Sequence, residues 1–228
     1  MADTAARGPR YDVALFDIDG TLCDPGTGIT SAAQHALARL GIDEQDPAAL
    51  RRFVGPPLEH SFRDYYALDA EQVTAAVRHY RESYQRQGLD QYRAYDGVAS
   101  LLRRLRDAGV AVSVVTAKIQ PFAEQALLST GLRGLVDLVS GRAPDEVVTK
   151  DVTLAAALAR LAVPRDRVVM IGDREHDVHA AQANDIDCIG VLYGYGTRDE
   201  LLAAGATHTA RTPDDVEHLV LGTAPGVH

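Results

Sequence analysis

From about residue 96 onward the chain alternates amphipathic helical stretches with short apolar runs, and this alternation restricts the fold more than any other feature. The expected strands are 110–115, 135–140, 167–171, 188–192 and 206–210. The expected helices are 96–108, 120–130, 150–161, 176–183, one near 197–204 and a last one from Pro213. Strands separated by helices pair in parallel and are covered on both faces. One further apolar run, Val13-Ala14-Leu15-Phe16, stands far upstream. Between it and the alternating part, residues 24–95 read as all-helical, with helices at 28–40, 47–53, from Pro57 to about Tyr66, and from Asp69 as N-cap through 87 to Gly88. No strand is expected between 24 and 95, and residues 1–10 read as a loose tail. The pattern predicts an α/β domain, residues 1–23 and 96–228, split after its first strand by a helical domain, 24–95.

In a parallel sheet of this kind, ligands bind beyond the carboxyl ends of the strands. Asp17, Thr116 and Asp173 each follow an apolar strand directly. In Phe16-Asp17-Ile18-Asp19-Gly20-Thr21, two carboxylates two residues apart can address one ligand if the backbone turns, and Gly20 allows the turn. One carboxylate can then be a nucleophile and the other a general acid/base; the alternative is an Asp-Gly turn with a solvated acidic pair. In Val115-Thr116-Ala117-Lys118, a hydroxyl and the following amides can hold phosphate oxygens, although Thr after a strand is common. Asp173 and Asp177 lie about one helical turn apart and suit an oxygen-coordinated Mg²⁺, or else form an ordinary acidic helix start.

Of 23 basic residues only Lys118 and Lys150 are lysines. Lys150 opens an expected helix, where a cation opposes the helix dipole. It reads either as a capping-region surface residue or as the neighbour of an anion. Lys118 reads as a surface residue, with a catalytic residue as the alternative. Cys23 and Cys188 read as small core residues, and two cysteines make no disulfide scaffold. His176 reads as a surface residue or one behind the metal ligands. His35, His60 and His79 read as partly exposed, and Tyr65, Tyr66, Tyr80 and Tyr84 as packing, with contact of one of them to substrate as the alternative. Arg51, Arg52 and Arg63 read as solvated, with a substrate-binding arginine as the sharper alternative.

The formal net charge of −9 argues against nucleic-acid polymers as partners. No apolar run approaches the roughly 20 residues of a membrane helix. Met1 to Arg10 lacks the apolar core of a secretion signal, so the cytoplasm is expected. A small anionic substrate would need local attraction from a metal, a few basic side chains and helix N-termini.

Taken in order, these motifs resemble those of haloacid-dehalogenase-type hydrolases with a helical cap inserted after the first motif, and the resemblance covers nearly the whole chain. It implies a Rossmann-like parallel sheet with helices on both faces. It implies Asp17 as nucleophile and Asp19 as general acid/base, with Thr116, Ala117 and Lys150 on the phosphoryl oxygens and Lys150 also orienting Asp17 as a catalytic residue. Mg²⁺ would be held by Asp17, the backbone carbonyl of Asp19 and Asp173, with Asp177 in support. Phe53-Val54-Gly55-Pro56-Pro57-Leu58, Tyr95-Asp96-Gly97-Val98 and the run from Gly190 to Gly196 are similar to the phosphoglycolate phosphatase and 5'-nucleotidase-like branch. Ala117 stands where such sequences often carry Ser or Asn. The implied enzyme is a phosphatase of small phosphorylated metabolites, monomeric or homodimeric. Asp19 argues against a dehalogenase, and the absence of Lys from 24–95 argues against a phosphonate hydrolase. A sugar-phosphate mutase and a non-catalytic binding protein are the remaining alternatives.

Overall fold

The computed structural model describes residues 8–88, 91–146 and 148–223. Residues 1–7 of the expected tail lie outside them. Six strands form one parallel sheet: β1 (Val13–Phe16), β4 (Ala111–Ile119), β5 (Leu138–Arg142), β6 (Val168–Gly172), β7 (Asp187–Val191) and β8 (His208–Ala210). Their order is β5-β4-β1-β6-β7-β8. The N-terminal strand therefore lies in the middle, with Phe16 opposite Val114 on one side and Ile171 on the other. Strand periodicity sends successive side chains to opposite faces. Ala14, Phe16, Val112, Val114, Val169 and Ile171 point to one apolar layer, shared with helices α5 (Val98–Asp107), α6 (Gln120–Ser129) and α10 (Pro213–Leu221). Val13, Leu15, Val168, Met170 and Cys188 point to the other, under α7 (Lys150–Leu161), α8 (Glu175–Ala183) and α9 (Arg198–Ala203). Burial on both faces explains why the central strands β1, β4 and β6 read as apolar runs.

Between β1 and α5 the chain forms α1 (Gly28–Arg39), α2 (Pro47–Arg51), α3 (Leu58–Tyr66) and α4 (Ala70–Ser83). Asp69 caps α4 as expected, through a reciprocal capping box with Gln72. The α4 helix ends four residues before 87, however, and passes into a π-helical turn, Tyr84–Gly88. A second correction concerns strands. The two-residue strands β2 (Cys23–Asp24) and β3 (Arg93–Ala94) pair antiparallel where the chain leaves the sheet and returns to it. Two residues carry no readable period, so the strand within 24–95 has no sequence signature.

Two of the expected strand ends also move. The β4 strand runs on to Ile119, with its register against β5 shifting between Val115 and Ile119. The β5 strand begins at Leu138, after a 3₁₀ turn at Arg133–Leu135, and ends on Arg142. Among the described residues no helix is long and apolar enough to cross a membrane.

Candidate active site

The C-terminal ends of β1, β4 and β6 bring Asp17, Thr116 and Asp173 together, and the first turn of α7 and of α8 adds Lys150 and Asp177. Asp17 follows β1, with its backbone N–H donating to the Ile171 carbonyl at 2.9 Å. The chain then turns at Gly20, whose φ of +82° is in the left-handed region that glycine tolerates. A Cβ built on Gly20 would stand 2.1 Å from Asp173 Oδ2, so the turn presses backbone against a carboxylate. Asp173 Oδ2 accepts from the Tyr195 backbone N–H at 2.8 Å, and Oδ1 from the Thr21 hydroxyl at 3.4 Å.

Asp17, Asp173 and Asp177 can each offer one carboxylate oxygen within 4.8 Å of the other two. All three are buried. Lys150 Nζ lies 2.9 Å from Asp17 Oδ2 and donates to Asp177 Oδ1 at 2.5 Å. These are the anions that a lysine at a helix start needs. Asp177 Oδ2 also accepts from the Arg174 N–H at 3.1 Å, so both its oxygens are engaged. Asp17 Oδ1 is buried and has no hydrogen-bond partner.

The electrostatics follow from burial. Desolvation, then the charges of Asp177 and Asp17, push Asp173 up to about 8. Asp17 is raised as well, by burial first, with Lys150 opposing. Burial works against the charge of Lys150, but the two carboxylates outweigh it and hold the ammonium above its ordinary pKa. Ionised, three carboxylates and one ammonium leave two net negative charges, which a divalent cation would cancel. The donor set is all oxygen, and Asp17 Oδ1 is unpartnered, so the residues fit Mg²⁺.

Thr116 is buried within the irregular end of β4, its hydroxyl accepting from the Lys118 N–H at 3.3 Å. Ala117 follows, its carbonyl accepting from Arg142 Nε at 3.0 Å. Above these residues lies a cavity of about 50 Å³, reached by Asp17, Asp19, Thr116, Ala117 and Lys118 from the sheet side. Phe53, Leu58, Tyr80 and Tyr84 close it from the helical segment.

Lys118 is not a surface residue. Its side chain is 8% exposed and its Nζ lies 2.9 Å from Asp19 Oδ2. The extension of β4 past Thr116 turns it inward. Its rarity in an arginine-rich chain was the available signal, the same one that marks Lys150. Tyr84 does more than pack: its hydroxyl bonds to Lys118 and to Tyr92. Tyr92 and Arg142, which no sequence motif singles out, are both buried beside the site.

Of the arginines flanking Gly55-Pro56-Pro57, Arg63 pairs with neighbouring Asp64 in solvent, and Arg52 lies 3.8 Å over the Tyr65 ring. Arg81 and Arg142 line the cavity instead, both paired with Glu59 of α3. His176 is half-buried in an outer groove and does not join the carboxylate group. Burial, then Lys150 and Arg174, keep its pKa below the ordinary value. Both cysteines are buried and free.

Residues 14–191 match the haloacid dehalogenase-like hydrolase family. A relative from Pseudomonas aeruginosa named 5'-nucleotidase is 41% identical over 209 residues, covering 91% of this chain and 93% of its own. Tyrosine-protein kinase PtkA of Mycobacterium tuberculosis is 36% identical over 196 residues, covering 86% of this chain and 67% of its own. A crystal structure of a predicted phosphatase from Clostridium acetobutylicum superposes with a TM-score of 0.90 at 37% identity, over 93% of this chain and 99% of that one. The chain belongs to the haloacid dehalogenase-like hydrolase family, as a phosphatase-type enzyme of α/β fold.

Proposed function

We propose that the protein is a Mg²⁺-dependent phosphomonoester hydrolase that works through an aspartyl phosphate on Asp17. The observation that carries this reading is the buried convergence of Asp17, Asp173 and Asp177 on one point, bridged by Lys150, with one Asp17 oxygen left free. Asp17, Asp173 and the backbone carbonyl of Asp19 would hold the cation, and Asp177 supports them by fixing Lys150. Bound there, Mg²⁺ would offset the charge of the phosphoryl group and align the reacting oxygens.

Asp17 attacks phosphorus as the ester P–O bond breaks, and Asp19 gives its proton to the leaving oxygen. Asp19, now a carboxylate, then takes a proton from the water that attacks the aspartyl phosphate. Inorganic phosphate leaves, and Asp17 and Asp19 return to their starting states. The Thr116 hydroxyl, the Ala117 amide and Lys150 hold the phosphoryl oxygens meanwhile.

Residues 24–95 serve as a cap that shields this chemistry and selects the leaving group. Phe53, Leu58, Tyr80 and Tyr84 of the cap close the cavity beside Asp17 and Asp19, where the leaving group would lie. Nucleoside 5'-monophosphates and phosphoglycolate are the candidate substrates. The 41% identical relative named 5'-nucleotidase favours the former.

The test is a screen of phosphorylated metabolites with and without Mg²⁺, repeated on Asp17→Asn. Turnover should need the metal and vanish in the variant while its circular dichroism is unchanged. Activity retained by pure Asp17→Asn at saturating Mg²⁺ would refute the nucleophile.

A further inference from the structure

A general acid works only if its proton points at the leaving oxygen, and the carboxyl of Asp19 is gripped from two sides. Tyr92 donates its hydroxyl proton to Oδ1 at 2.5 Å, and the Lys118 ammonium lies 2.9 Å from Oδ2. Tyr84 closes a ring of four groups. Its hydroxyl donates to the Tyr92 oxygen at 2.7 Å and accepts from Lys118 Nζ at 3.2 Å. The ammonium also lies 5.1 Å and 5.3 Å from the Tyr84 and Tyr92 ring centroids, within cation–π range. Each Asp19 oxygen is thus fixed through one lone pair and keeps another for a reacting partner. In a buried setting such a hydrogen-bonded ring holds its members more tightly than exposed pairs do.

The ring is built half from the sheet and half from the helical segment. Asp19 follows β1 and Lys118 lies in β4, whereas Tyr84 opens the π-helical turn after α4 and Tyr92 directly precedes β3. Lys118 and Tyr84 face the cavity; Tyr92 is buried and is not among the residues that line it. Tyr92 therefore holds Asp19 from behind, out of reach of a substrate in the cavity.

We propose that Tyr92 and Lys118, with Tyr84 behind them, are positioning residues that aim the Asp19 carboxyl at the leaving oxygen. The proposal rests on the reading of Asp19 as the general acid and adds no chemical step to it. The effect can be large, since a displacement of about 1 Å at a reacting group can cost on the order of 100-fold in rate.

The experiment compares kcat/KM, which reports the steps through departure of the leaving group, for 4-nitrophenyl phosphate and ethyl phosphate in Mg²⁺. The nitrophenolate departs without a proton; the ethoxide needs one. Asp19→Asn should depress ethyl phosphate hydrolysis by about 100-fold or more beyond its effect on the nitrophenyl ester. Tyr92→Phe and Lys118→Met should each show the same leaving-group discrimination, about tenfold. Tyr92→Phe added to Asp19→Asn should add no further discrimination.

Equal losses on both esters, or none, in Tyr92→Phe, while Asp19→Asn discriminates, would overturn the positioning role alone. No discrimination in Asp19→Asn would overturn the general-acid reading and the proposal with it. Tyr92→Phe keeps the ring and its packing, so it decides the matter even where Lys118→Met fails to fold.

Discussion

Asp17 and Asp177 share a buried site, and the Lys150 ammonium between them offsets their repulsion. The ammonium, 5% exposed, touches both. Breaking a buried ion pair by removing one partner typically costs about 3–5 kcal/mol, because the remaining charge is left uncompensated. Lys150→Met should lose stability of that order in urea denaturation. Adding Asp177→Asn should restore part of it, since one buried anion fewer remains. A double variant no more stable than Lys150→Met would show that packing, not charge, is what the lysine supplies. Lys150 was legible in the sequence because it is one of two lysines and sits where a helix dipole rejects a cation. Lys118 shared the first signal but not the second: its inward direction depends on β4 continuing irregularly past Thr116, where the apolar period has stopped. Tyr92 had no signal at all. Its place beside Asp19, 73 residues away, is set by where the helical segment returns to the sheet.

The turn between β1 and β2 is the element on which the site depends, and its glycine can be separated from an ordinary one. Gly20 and Gly109 have nearly the same left-handed backbone, with φ of +82° and +84°. A Cβ on Gly109 would meet nothing within 4 Å, whereas on Gly20 it would strike the Asp173 carboxylate. Gly109→Ala should therefore cost only the backbone strain, about 1–2 kcal/mol, with kcat/KM unchanged. Gly20→Ala carries the same strain and displaces Asp173 as well, so it should be less stable than Gly109→Ala and lose most activity. Equal stability and activity in the two variants would remove the close approach from the account. At this scale the sequence was most informative. The apolar run at Val13–Phe16 and the alternation after residue 96 pointed to the strands of the parallel sheet, most clearly β1, β4, β6 and β7, where burial on both faces leaves an apolar signature. The ends of β4 and β5 and the β2–β3 ribbon were not legible, since they are fixed by pairing with distant partners rather than by local pattern.

A chain with a net charge of −9 that collects buried carboxylates at its sheet edge stores electrostatic repulsion that a cation can release. Lys150 offsets one of the three negative charges, and the residual two match a divalent ion. Binding to the folded state alone stabilises it by about 2.7 kcal/mol at 100 times the dissociation constant. For a protein of this size each kcal/mol moves the melting temperature by about 2–4 °C. Saturating Mg²⁺ should therefore raise the melting temperature by roughly 5–10 °C over the protein in EDTA. Asp173→Asn should lose that increment. In EDTA the same variant should be at least as stable as the wild type, because burial holds the Asp173 carboxyl at about 8 and folding at neutral pH must protonate it, whereas the amide is neutral already. The two halves of this expectation point in opposite directions for one substitution, and general damage to the fold would lower both melting temperatures. A variant that is weaker in EDTA and still gains the full Mg²⁺ increment would mean that Asp173 is a structural carboxylate and that the cation, if bound, sits elsewhere.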